Sequence, residues 1–104
     1  MTIQTILTEL REGLENVYEE RLRGVYLYGS YARGSAEGES DLDILVVLDK
    51  LDSYGAEIDR TSELVSRISL AHGVSVSRVF VSELDWRKAE GPFLGKVREE
   101  SIPA

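Results

Sequence analysis

YLYGSYARGSAEGESDLDILVV, Tyr26 to Val47, is the stretch on which the reading of this chain turns. One apolar run ends at Gly29-Ser30. Ten residues later a second begins, with Asp41 and Asp43 at alternate positions among Leu42, Ile44, Leu45, Val46 and Val47. Carboxylates beside a core are costly unless something compensates their charge. On a strand, alternate residues face the same way. Asp41 and Asp43 therefore project together, with Cα atoms roughly 6–7 Å apart. Such a pair repels itself unless a cation lies between. Magnesium suits it, taking hard oxygen ligands from few protein groups and filling the rest with water and phosphate.

The Gly-Ser end of the first run offers the matching half. Glycine allows backbone amides to approach a ligand closely, and the free N–H groups of a helix start favour phosphate. Ser30 adds a hydroxyl. Arg33, one turn on, reaches an anion or pairs with an acid. A phosphate cradle beside a metal-binding pair fits a magnesium-bound nucleoside triphosphate. Taken singly, each feature also has a plainer reading. Gly-Ser after a strand makes a turn, and Asp-x-Asp makes a solvated strand end. Tyr31, just inside the cradle, either packs or stacks on a base.

Outward from this stretch, residues 3–22 show apolar residues at helical spacing: Ile3, Ile6, Leu7, Leu10, Leu14, Val17, Tyr18 and Leu22. Thr2 is placed to cap this helix and Gly24 to end it. Residues 25–28 read as a buried strand, 30–36 as one or two helical turns, 38–40 as a turn, and 42–48 as a central strand covered on both faces. A second long helix spans residues 53–72, with Gly73 as its C-cap. Residues 74–81 alternate as a third strand. Ser82-x-x-Asp85 starts a short helix over 83–90, Gly91-Pro92 breaks it, and 93–100 forms a last helix. The expectation is an α/β (α+β) fold, a small mixed sheet with helices packed on it, in one domain over residues 1–104.

The composition narrows the function classes. The 104 residues suit one core, and no apolar stretch approaches the length of a membrane span. A net charge of −7 speaks against nucleic acid as a direct ligand but allows nucleotide phosphates or a basic protein partner. The absence of cysteine excludes disulfides and thiolate metal sites and fits a cytoplasmic protein. The acidic N-terminus lacks a signal-peptide layout. His72, the single histidine, stands at a helix C-terminus, where positive charge is favoured. Trp86 and Phe93 are read as core or interface anchors.

Gly29-Ser30 followed after ten residues by Asp41-Leu42-Asp43 resembles the signature of the DNA polymerase beta nucleotidyltransferase superfamily. GSYARGSAEGESDLD resembles more narrowly the minimal nucleotidyltransferases (MNT) of prokaryotes, with Ala32-Arg33-Gly34 typical of that group and the likeness extending to the closing PFLGKVREESIP. The resemblance implies a nucleotidyltransferase fold. It implies Mg2+ at Asp41 and Asp43 as the catalytic pair, and ATP as substrate with Gly29 and Ser30 on its triphosphate. It implies transfer of AMP to a protein hydroxyl. It also implies a hetero-oligomeric partnership with a HEPN toxin (higher eukaryotes and prokaryotes nucleotide-binding domain), which the nucleotidyltransferase neutralises as antitoxin.

One departure from that pattern stands out. The superfamily usually carries a third carboxylate on a later strand, and VSVSRVFVS, residues 74–82, has none. Ser75 or Ser77 occupies the corresponding place. An alternative function follows: a catalytically weakened protein of the same fold that neutralises its partner by contact.

Overall fold

The computed structural model describes residues 2–38 and 40–104. Its sheet has the order β3-β2-β1-β4, with β1 Leu22–Tyr28, β2 Leu42–Leu48, β3 Val76–Ser82 and β4 Ile102–Pro103. β2 lies antiparallel to β1 and parallel to β3, and β4 runs antiparallel to β1, so the sheet is mixed as expected. The helices are α1 Ile3–Tyr18, α2 Ser30–Arg33, α3 Tyr54–His72, α4 Glu83–Lys88 and α5 Gly91–Glu100.

β2 anchors the fold because it is buried at every position but Asp43. Its alternation divides the interior. Leu42, Ile44, Val46 and Leu48 join Leu10 and Leu14 of α1 and Leu64 and Ile68 of α3 on one face. Leu45 and Val47 join Val81, Trp86 and Val97 on the other. Each such side chain contributes about 1.5–3 kcal/mol on burial. That burial fixes the strand's register, and with it the direction of Asp43.

The caps explain where the long helices begin and end. The Thr2 side chain accepts from the Thr5 N–H at 3.3 Å, and the Ser53 hydroxyl accepts from the Ala56 N–H at 3.3 Å. Gly73 ends α3 in the left-handed region at φ 63°. Ser82 accepts from the Asp85 N–H at 3.2 Å, starting α4.

The first helix is shorter than its apolar spacing suggests. It stops at Tyr18, Glu19 turns to φ 53°, and a 3-10 turn at Glu19–Arg21 leads into β1. Leu22 belongs to the strand, where it pairs with Leu48, and Gly24 lies inside β1 rather than ending a helix. Pairing with β2 outweighs the continued helical spacing. β3 starts two residues later than expected, and Ser75 instead gives its carbonyl to the Leu42 N–H at 2.8 Å. α4 ends at Lys88, short of the expected residue 90, because Ala89 turns into the left-handed region at φ 46°. Gly91-Pro92 does not break that helix but opens α5, with Pro92 in its first turn. The turn read at residues 38–40 falls partly on Glu39, outside the described residues. Its flanks are joined, with the Ser40 N–H donating to the Glu37 carbonyl at 2.9 Å.

Candidate active site

Gly29 leaves β1 with φ 75° and ψ −155°, and α2 starts at the next residue. No side chain fits there, because a Cβ on Gly29 would run into Asp43 Oδ2. The register accounts for this approach: Tyr28 is the cross-strand partner of Asp43. Two features separated in the sequence thus meet at one end of the β1–β2 pair. Arg33 closes the small helix, its N–H donating to the Gly29 carbonyl at 3.1 Å.

Asp43 is half-buried, and Asp41 is exposed just ahead of β2. Burial, and next the charge of Asp41, push the Asp43 carboxyl above its ordinary range; Arg33 opposes this and Glu100 adds to it. Among the described residues neither aspartate has an ion-pair partner within the chain. Uncompensated paired carboxylates suit a hard divalent cation that keeps water and phosphate as its other ligands. Among the described residues no third Asp, Glu, His or Cys joins them to make a fuller metal cluster. On the β3 side, the residue in register with Asp43 is Ser77.

A cleft of about 360 Å³ opens over this end of the sheet. Tyr28, Gly29, Ser30, Arg33 and Asp43 form one wall, and Phe93, Lys96, Val97 and Glu100 of α5 form the other. The structure therefore brings together Gly29, Ser30, Arg33 and Asp43; Asp41 does not line the cleft, although its charge acts on Asp43. Burial, and next the neighbouring Asp43, push the Tyr28 hydroxyl up to about 12, so it stays protonated at neutral pH. Phe93 is half exposed and meets the Tyr28 ring edge-on at 5.9 Å.

The α5 wall was not legible as part of the site. Glu100 is its most consequential member. The Gly29 N–H donates to Glu100 Oε1 at 3.2 Å, and Arg33 Nη1 lies 3.1 Å from Oε2. Burial alone would raise the Glu100 carboxyl, but Arg33 and the Gly29 amide outweigh it and hold it below the ordinary range. An acid near the end of a polar helix carries no periodic signal that would mark it.

Other residues go elsewhere. Tyr31 packs against the α1–α3 core and lines a separate cleft of about 490 Å³ with His72, Val74 and Ser75. That cleft is larger, but neither aspartate lines it. His72 Nε2 meets Glu9 Oε2 at 2.9 Å, tying α3 to α1. Trp86 is buried against Tyr26, ring centres 4.9 Å apart, as a core anchor.

The family model described as Polymerase beta, Nucleotidyltransferase matches residues 10–89. A candidate protein adenylyltransferase of Methanocaldococcus jannaschii is 33% identical over 101 residues, 96% of this chain and 95% of the relative. The solved structure of a candidate minimal nucleotidyltransferase aligns with TM-score 0.64 at 25% identity, over 100% of this chain and 97% of that chain. A structure of a tri-AMPylated Shewanella oneidensis HEPN toxin in complex with an MNT antitoxin aligns with TM-score 0.59 at 22% identity, over 96% of this chain and 69% of that chain, a likeness of fold.

Proposed function

The chain belongs to the polymerase beta nucleotidyltransferase family, and from that membership we propose that it transfers AMP from ATP to a protein hydroxyl, with magnesium, as the antitoxin of a HEPN toxin. The approach of Asp43 to Gly29 carries this reading. A metal-binding carboxylate and a phosphate-binding loop must lie against each other if one ligand is to meet both. The name of the Methanocaldococcus relative supports a protein acceptor, and the Shewanella complex supports a HEPN partner. We assign the reaction to the cytoplasm; among the described residues no helix is long and apolar enough to cross a membrane.

Held by Asp41 and Asp43, magnesium would supply positive charge against the triphosphate and the transferred phosphorus. The Gly29 N–H and the Ser30 hydroxyl donate to phosphate oxygens, and Arg33 and Lys96 add positive charge along the cleft. Phe93 offers a ring at the cleft mouth for the base. The acceptor oxygen attacks the α-phosphorus in line, the bond from that phosphorus to the bridging oxygen breaks, and pyrophosphate leaves. β3 provides no carboxylate beside Asp43, so the acceptor proton passes to water or to a base of the partner protein.

That same lack favours a second reading, in which the chain neutralises its partner by contact alone. Loss of an acid–base group costs typically 10²–10⁴-fold in rate. Incubation of the HEPN-type partner with this chain, ATP and magnesium separates the two readings. Covalent AMP on the partner supports transfer, and a stable but unmodified complex supports contact.

A further inference from the structure

Glu100 sits on donors that the proposed function assigns to a phosphate. Its Oε1 accepts from the Gly29 N–H at 3.2 Å and from Arg33 Nη1 at 3.3 Å, and its Oε2 accepts from Arg33 Nη1 at 3.1 Å. A carboxylate and a phosphate ask the same of these donors: each offers anionic oxygens to charge-assisted hydrogen bonds. The Glu100 side chain is 16% exposed and lines the cleft. Lys96, one turn earlier on α5, lines the same cleft.

We propose that Glu100 is a resident anion of the phosphate cradle, an intramolecular competitor that a triphosphate displaces before it engages Gly29 and Arg33. The inference rests on the nucleotide-binding reading above and adds a determinant of affinity to it. The backbone around Glu100 is anchored. The Ser101 N–H donates to the Val97 carbonyl at 2.8 Å, the Ala104 N–H donates to the Val25 carbonyl at 2.9 Å, and Ile102 pairs with Leu27. Displacement is therefore a rotation of the Glu100 side chain, not an unfolding of α5. The cradle stays organised around an anion while no nucleotide is bound. A ligand that lacks a run of phosphates gains too little to evict Glu100, so the device selects for polyphosphates.

The test compares the full wild-type chain with Glu100→Gln by calorimetric titration, using inorganic tripolyphosphate and, separately, ATP with magnesium. The Arg33–Glu100 pair is partly exposed, so its removal is worth about three- to tenfold in affinity. Glu100→Gln is expected to bind both probes more tightly by that factor. Equal or weaker binding by the variant, with ATP still bound by the wild type, overturns the proposal. No ATP binding by either protein overturns the nucleotide reading itself, and the proposal with it. A wild-type measurement keeps the test independent of the variant's folding. The Glu100 carboxyl carbon resonance should move as ATP saturates the chain, and an unmoved resonance at saturation contradicts displacement.

Discussion

Ser77 of β3 stands in register with Asp43 of β2, one strand away in the parallel pairing. The carboxylate pair at the end of β2 therefore has a hydroxyl as its neighbour where a third acid would complete the set. Ser77→Asp restores that acid. It is expected to raise AMP transfer by roughly tenfold or more, toward the range typical of an added acid–base group. Transfer timed by mass spectrometry checks this. An unchanged or lower rate in a folded variant would mean that the strand position plays no part in the chemistry.

Gly29→Ala tests the contact between the Gly29 loop and Asp43. The added Cβ meets Asp43 Oδ2, and φ 75° disfavours any L side chain. Two changes are expected together: a stability loss of more than about 1 kcal/mol, and loss of ATP binding. Thermal melting and calorimetry read them separately. A variant that melts as the wild type and still binds ATP would remove Gly29 from the cradle.

Phe93 is half exposed at the cleft mouth, with its ring edge-on to Tyr28. Its removal should leave the core intact, because Val97 and Trp86 bury that face without it. Phe93→Ala is expected to raise the KM for ATP by about tenfold, the scale of one lost base–aromatic stack. Tripolyphosphate binding should not change. An equal loss for both ligands would show that the ring supports the helix and not the base.

A pH dependence of stability follows from Glu57, which is 4% exposed on α3. Burial works to raise its carboxyl. The hydrogen bonds from the Tyr18 hydroxyl at 2.9 Å and from Arg21 Nη2 at 3.1 Å outweigh this, leaving it below the ordinary 4.5. The unfolded chain thus binds the proton more readily than the folded one. The contribution is full above the unfolded value and is lost as pH falls through the folded value. Glu57→Gln is expected to cost about 2 kcal/mol at neutral pH and to flatten the acid limb of the stability profile. Denaturant melts between pH 3 and 7 would show it, and parallel profiles for the two proteins would contradict it.

Much of this was legible because local and tertiary preferences agree. In β2, branched apolar residues, burial on both faces and the flanking turns all point to a strand, and its ends fall at Leu42 and Leu48. The Ser53 cap and the Gly73 stop bound α3 for the same reason. Leu22 misled because its spacing continues the α1 face, whereas its partner Leu48 is available only once the sheet forms. β4 escaped notice because Ile102–Pro103 is two residues long and exposed, and it exists through its pairing with β1. Asp41, Asp43, Gly29 and Ser30 stood out by residue type and spacing. Glu100 did not, because what gives it a role is proximity to Gly29, a residue distant in sequence.

Intact-mass analysis of the proposed HEPN-type partner, after incubation with this chain, ATP and magnesium, tests the central claim most directly. Asp43→Asn is the control, since it keeps the shape of the side chain and removes its charge. The expected result is an AMP-sized gain on the partner with the wild-type chain and none with Asp43→Asn. A partner that stays unmodified while held in a stable complex would contradict transfer and leave neutralisation by contact.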